Sequence, residues 1–257
     1  MRKLIGSLCF ITVLHLSLVL SQAGQNSPNI LFDEGHGQRF VIDNSGDLQL
    51  SKLAGTMRSS GAQVSKTKEI LSDDSLKGAS ALVISGPFKP LQSGEIEAIV
   101  RFIQKGGRLV AMLHIGPPLG DLLVRLGLDY SNSVIHERQN VIDKDINFRV
   151  TDLSPNPLFT GVNSFAAYGV WAISPGEMSS SIARTSSTAW IDLNNDGILS
   201  NGDAVGAFSI VVTGSLGAGS FAIFGDDAIF QNRFLEGNNQ KLAVNLARWL
   251  TSRYGKP

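Results

Sequence analysis

The residues best spaced for chemistry form one twelve-residue run, Asp192-Leu193-Asn194-Asn195-Asp196-Gly197-Ile198-Leu199-Ser200-Asn201-Gly202-Asp203. Oxygen-bearing side chains occupy its first, third and fifth places, a glycine the sixth, and a carboxylate the last. A Ca²⁺ loop needs that layout: hard oxygen donors at Asp192, Asn194, Asp196 and Asp203, the carbonyl of Ile198, and a glycine for the sharp turn. The flanks (Thr188–Ile191 and Ala207–Val212) alternate like strands, so no helix–loop–helix is expected. The competing reading is an acidic hairpin loop, rich in Asn, Asp and Gly because turns require them.

A second group is scattered along the chain but recurs in one context. Asp33, Glu34 and His36 follow the apolar stretch Asn29–Phe32, His114 follows Leu109–Leu113, and Asp226 and Asp227 follow Ser220–Phe224. Ligands of open parallel sheets bind outside the carboxyl ends of the strands. If these strands are parallel neighbours, the carboxylates and imidazoles gather at one edge, where such groups hold a metal or move protons. The plainer reading is that they brace loops and satisfy backbone groups. Arg39 and Phe40 either lie over a ligand or start a short packed strand. Gly86, in Gly86-Pro87, leaves room for a ligand to approach or only makes a turn. Asn232 offers a hydrogen bond to a ligand, or a helix cap. Trp171, Trp190 and Trp249 are read as core.

The elements that must position these groups are clearest in the middle of the chain. Ala81–Ser85 is a short apolar run closed by Gly86 and Pro87, as expected of a strand buried on both faces. Ser93 reads as a helix cap, with Glu95 and Glu97 in the first turn where the dipole favours negative charge. Ile96, Ile99, Val100 and Ile103 mark one apolar face, and Gly106-Gly107 ends the helix. Leu109–Leu113 is a further buried strand, which completes a βαβ unit of a parallel sheet. Upstream, Asp47–Ser59 reads as a helix with Leu48, Leu50, Leu53 and Met57 inward, and Ala62–Lys66 as a strand. Leu119–Leu126 reads as a helix. From Asp129 the texture turns β-like: Val134–Val141, Ile146–Val150, Phe165–Ile173, Ser181–Trp190, Ala207–Thr213 and Ser220–Phe224. Phe230–Phe234 and Gln240–Tyr254 read as helical.

Composition narrows the function classes. The 257-residue chain carries 22 basic and 22 acidic residues, so no electrostatic footprint for nucleic acid is present. Arg2 and Lys3, the apolar run Leu4–Leu20 and Ser21-Gln22-Ala23 have the layout of a secretory signal peptide, with an uncleaved anchor as the rival. Residues 1–23 are therefore assigned to a leader, which places the protein outside the cytoplasm, periplasmic or secreted, with no membrane span once the leader is removed. Residues 24–257 are read as one α/β domain with a β-rich insertion over roughly 129–215. The single cysteine, Cys9, leaves with the leader, which removes thiol catalysis, cysteine metal sites and disulfides. No P-loop, dinucleotide fingerprint or zinc-protease motif is present.

Four segments occur in an order that resembles a known family: ILFDEGHGQRF, LVISGPFKPLQSGEIEAIVRFIQKGGRLVAML, SPNPLFTGV and FAIFGDDAIFQNRFLEGNNQKLAVNLARWL. They resemble the DUF4350 group of extracytoplasmic proteins and, more broadly, the GIFT domains. The resemblance implies a class I glutamine amidotransferase-like fold, a flavodoxin-like three-layer sandwich with a mainly parallel sheet and an antiparallel β extension in the second half. It implies a non-catalytic, saccharide-binding role. Amidotransferase chemistry needs a cysteine on a strand-to-helix turn, whereas the comparable turn here reads His114-Ile115-Gly116-Pro117-Pro118. ThuA-like sugar-utilisation proteins resemble this segment in having a histidine there. The expectation is a ligand-binding protein, with Ca²⁺ as its one candidate cofactor and a small molecule, saccharide or protein as partner. Two alternatives stand beside it: a metal- or carboxylate-dependent hydrolase using His36, His114 and Asp226, and a protein-interaction scaffold.

Overall fold

The computed structural model describes residues 27–252, so the expected leader lies outside the described residues. In its first half, β1 (Asn29–Asp33), α1 (Ser51–Ser59), β2 (Gln63–Thr67), β3 (Ala81–Ser85), α2 (Ser93–Gln104), β4 (Arg108–Met112) and α3 (Gly120–Arg125) alternate strand with helix. The second half is mostly β: β5 (Asp129–His136), β6 (Asn147–Val150), β7 (Asp152–Leu153), β8 (Phe165–Tyr168), β9 (Trp171–Ser174), β10 (Ser179–Arg184), β11 (Trp190–Ile191), β12 (Ala204–Val205), β13 (Ser209–Leu216) and β14 (Gly219–Phe224). Helix α4 (Gly237–Thr251) closes the chain.

Eight strands make one large mixed sheet in the order β2-β1-β3-β4-β14-β13-β10-β7. The five from β2 to β14 are parallel; β13, β10 and β7 continue it antiparallel. Strands β12-β11-β5-β9 and β6-β8 form two smaller antiparallel sheets. All five residues of β3 and of β4 are buried, because alternate side chains enter opposite apolar layers. Ala81 and Val83 pack with Leu53 and Met57 of α1 and Leu242 and Leu246 of α4. Leu82 and Ile84 pack with Ile96, Ile99 and Ile103 of α2 and Leu122 and Leu123 of α3. Each of the buried Val, Leu, Ile and Met side chains contributes roughly 1.5–3 kcal/mol by leaving water, so the large sheet is firmly held where it meets the loops.

Several expected boundaries are corrected. Helix α1 starts at Ser51, not Asp47, since 46–49 is taken up in a turn closed by Gln49 N donating to Gly46 O, and Leu48 is exposed instead of inward. Ser93 is the first helical residue; Gln92 takes the N-cap place, its N–H donating to Glu95 Oε2 at 2.8 Å. Phe165–Ile173 is two strands, split where Gly169 adopts φ +73°. Ser181–Trp190 likewise divides between the large sheet (β10) and a small one (β11). Strand β5 stops at His136, short of Val141, and Phe230–Phe234 holds only the end of a 3₁₀ turn, Ala228–Phe230.

Candidate functional site

In the large sheet β1 connects outward to β2 on one side, whereas its other neighbour is β3. The chain therefore reverses its direction of growth between β1 and β3, and the loops after these two strands meet, His36 O accepting from Phe88 N at 2.9 Å and Lys89 N at 3.0 Å. Such a switch point is where open α/β sheets bind ligands, in the crevice outside the carboxyl ends of the strands. The loop after β1 carries Asp33 to Phe40, the loop after β3 carries Gly86 to Phe88, and His114 and Asp227 follow the adjacent strands β4 and β14.

At the end of β1, Asp33 accepts from Gly35 N at 3.1 Å, which turns the chain back on itself. Its other oxygen accepts from Gln38 Nε2 at 2.6 Å and faces His36 Nδ1 at 2.8 Å. His36 Nε2 lies 3.0 Å from Glu95 Oε1 at the start of α2, and Glu95 also accepts from the backbone of Leu71 and Gln92. The hydrogen bond to Asp33, opposed by burial and helped by Glu95, raises the His36 pKa to about 9. Burial pushes the Glu95 carboxyl up, but the Gln92 and Leu71 N–H groups and His36 outweigh it and leave the pKa lowered. Both imidazole nitrogens of His36 are thus committed, and this buried cluster locks β1 to α2.

His114 differs in having one nitrogen to spare. Its Nδ1 lies 3.1 Å from Asp227 Oδ1, and its side chain is 36 % exposed while that of Asp227 is fully buried. Phe40 meets the imidazole edge-on at 5.1 Å between centroids and Phe88 lies tilted at 5.2 Å. The Arg39 guanidinium stacks 4.4 Å from the Phe88 centroid. The Asp227 hydrogen bond raises the His114 pKa, burial opposes it, the charge of Asp226 adds to the rise, and that of Arg39 subtracts. Gly86, at φ +52°, passes so close to Asp227 Oδ2 that any Cβ there would collide with it. That oxygen has no hydrogen bond of proper geometry among the described residues, and burial raises the Asp227 pKa.

The remaining expected site residues face inward. Asp226 accepts from Tyr168 N and Ala228 N, both at 2.7 Å, and burial together with Asp227 pushes its pKa up to about 8. Glu34 is buried, accepting from Ile42 N at 3.1 Å with Lys66 Nζ at 3.4 Å. Asn232 Oδ1 accepts from Lys52 N at 2.8 Å, and its Nδ2 donates to Gly46 O and Ser51 Oγ, so it caps α1 from a distant loop. Asp33, Glu34, His36, His114 and Asp226 therefore do not converge on one point. Phe88 has one signal in the sequence, an aromatic two residues beyond Gly86 at a strand end. Glu95 shows only its place in the first turn of α2, because its partner His36 is 59 residues away.

The Asp192–Asp203 loop joins β11 to β12. Carboxylate oxygens of Asp192, Asp196 and Asp203 all lie within 4.8 Å of one another. Asp192 accepts from Asn195 N and Gly197 N, and Asp203 from Leu193 N and Ser200 N, at 2.6–3.0 Å. Asn195 and Gly197 take positive φ to make the turn. The Asn194 side-chain Oδ1 accepts from Asp196 N at 3.0 Å. The donor set fits a hard divalent cation.

These features define a mixed α/β protein with a histidine-bearing crevice at the parallel strand ends. Its profile match over residues 42–247 is to a domain of unknown function, DUF4350, and the chain belongs to that family. No curated protein matches it in sequence. Among solved structures, the mmIFT52 N-terminal domain superposes with TM-score 0.71 at 17% identity, over 89% of this chain and 100% of that one. A cytoplasmic protein from Salmonella typhimurium LT2 gives 0.58 at 14%, over 87% and 100%. A ThuA-like protein from Bacteroides uniformis ATCC 8492 gives 0.52 at 15%, over 87% and 92%. At such identities the likeness is one of fold. The expected extracytoplasmic location is corrected: two proteins of this fold, both from Salmonella typhimurium, are described as cytoplasmic, and the stretch read as a leader lies outside the described residues. No helix among the described residues is long and apolar enough to cross a membrane.

Proposed function

We propose that this protein is a non-catalytic ligand-binding protein whose ligand, a saccharide, sits in the crevice between β1 and β3. The observation that carries this reading is His114: held by the buried Asp227, flanked by Phe40 and Phe88, and about one-third open to solvent. Apolar ring edges beside an oriented hydrogen-bonding group suit a sugar, which presents C–H faces and hydroxyls together. The hydrolase alternative needs a second polar group aimed at the same reacting atom. Asp33, His36 and Asp226 are instead spent on internal partners. The rise in the His114 pKa caused by Asp227 also favours the donating, protonated form over a general base. The same reading takes the fold as a flavodoxin-like, three-layer sandwich of the GIFT and amidotransferase type, with His114 on the turn where the amidotransferases carry cysteine. Likeness to the mmIFT52 N-terminal domain supports it at the level of fold. The test is calorimetric titration of the protein with a panel of oligosaccharides. At least one should bind, and His114→Ala should weaken it tenfold or more; turnover of a bound glycan would reverse the reading in favour of the hydrolase.

A separate observation favours a second site. We propose that the Asp192–Asp203 loop holds Ca²⁺ through the side-chain oxygens of Asp192, Asn194, Asp196 and Asp203 and the carbonyl of Ile198. Carboxylate oxygens of three aspartates already lie within 4.8 Å of one another, a gathering of negative oxygen donors that suits a hard divalent cation. Trp190 lies two residues before Asp192, close enough to sensitise terbium luminescence. Bound Tb³⁺ should luminesce, Ca²⁺ should displace it, and Asp203→Ala should abolish both effects. Equal luminescence from the Asp203→Ala protein would remove the site.

A further inference from the structure

We infer that the ligand of the β1–β3 crevice is an acidic saccharide, recognised through a carboxylate that meets Arg39 and His114 together. This rests on the ligand-binding reading above and specifies its chemical class. Both cationic groups border one ring: the Arg39 guanidinium lies 4.4 Å from the Phe88 centroid, and the His114 ring 5.2 Å from it. Among the described residues no carboxylate pairs with the Arg39 guanidinium.

The charges around them do not cancel. Asp227 is matched by His114 itself at 3.1 Å. Asp226 is buried, with both oxygens taken by backbone N–H groups of Tyr168 and Ala228. Phe40 and Phe88, which complete the wall, are uncharged. Arg39 is left as a positive charge with no carboxylate partner among the described residues, stacked on the same Phe88 ring that the His114 imidazole borders. An arginine fork and a planar carboxylate are geometrically matched, and hydrogen bonds between charged partners are roughly twice as strong as neutral ones. A neutral sugar would use the aromatic edges and His114 but leave Arg39 solvated. A uronate uses all of them.

Titration calorimetry with three probes separates the possibilities: trigalacturonate, its fully methyl-esterified form, and neutral galactotriose. At neutral pH the acid should bind at least tenfold tighter than the ester. Arg39→Gln should shrink that ratio to about threefold or less. Raising the pH through the His114 titration should weaken the acid more than the ester, because the imidazolium is lost while Arg39 stays charged. If the acid and ester bind equally, the acidic-ligand inference is overturned while the ligand-binding reading stands. If the acid is preferred but Arg39→Gln leaves the ratio unchanged, recognition through Arg39 is overturned. If none of the three binds to protein shown to be folded by circular dichroism, the inference falls together with the saccharide reading.

Discussion

His36 and His114 each lie against a carboxylate, yet what remains free on the ring separates their roles. His36 spends Nδ1 on Asp33 and Nε2 on Glu95. Replacing it by leucine strands two buried carboxylates, and His36→Leu should cost about 3–5 kcal/mol in urea unfolding. The pH dependence follows from the raised pKa, from 6.5 to about 9. The charged imidazole contributes its full stabilisation below its unfolded pKa and loses it as the pH rises through the folded value. The stability gap between wild type and His36→Leu should therefore be widest near pH 6 and narrow by pH 9.5. A gap independent of pH would mean that His36 acts by packing alone. For His114, Asp227→Asn removes the main cause of its raised pKa, so the proton-NMR titration of its ring should move to lower pH. The identities of Asp33, His36 and His114 were readable from their places after apolar strands. Their partners were not, because Glu95 lies 59 residues from His36 and Asp227 lies 113 from His114. No local pattern encodes a contact made by folding a sheet.

Where an element is complete in itself, its sequence speaks plainly. The central strand–helix–strand unit was legible because five-residue buried strands and a helix with one apolar face each carry their own period. The start of α1 was not legible, since the group that fixes it, Asn232, arrives from 180 residues away to meet Lys52 N. Asn232→Ala should leave that N–H uncapped at a cost of about 1–2 kcal/mol, seen as a lower urea midpoint with unchanged slope. Past Asp129 several strands, β7, β11 and β12, span only two residues, and neighbouring segments belong to different sheets, so alternation marks β structure but not where one strand ends. Gly169 shows the difficulty: only its positive φ divides β8 from β9. Gly86 is the converse case, a glycine whose purpose appears only with its neighbour. Its φ of +52° costs a side chain roughly 1–2 kcal/mol, and a Cβ would drive into Asp227 Oδ2. Gly86→Ala should therefore destabilise the protein by about 2–4 kcal/mol and also lower the His114 pKa, by displacing the carboxylate that holds it. Loss of stability with an unmoved His114 titration would show that the clash is relieved elsewhere.

At the scale of the molecule, the two proposed sites sit on parts of unequal rigidity. The crevice is built on strand ends anchored between two apolar layers. The Asp192–Asp203 loop hangs from a hairpin of two-residue strands at the edge of a four-stranded sheet, with Leu193, Ile198, Leu199 and Val205 exposed. Such a hairpin opens locally far more often than the large sheet unfolds. A cation held there is released both by local opening and by global unfolding, so both must become rarer when it binds. With free Ca²⁺ at a hundred times its dissociation constant, each equilibrium should shift by about 2.7 kcal/mol, near a hundredfold. Hydrogen exchange of amides between Trp190 and Val205 should slow by that factor, and the urea midpoint should rise in step. Amides of β3 and β4 should slow only insofar as they exchange through global unfolding. Asp203→Ala should remove the Ca²⁺ effect on both measurements. A rise in midpoint without slower exchange in this loop would locate the cation elsewhere in the molecule, because an ion seated between Asp192 and Asp203 has to restrain the segment that holds it.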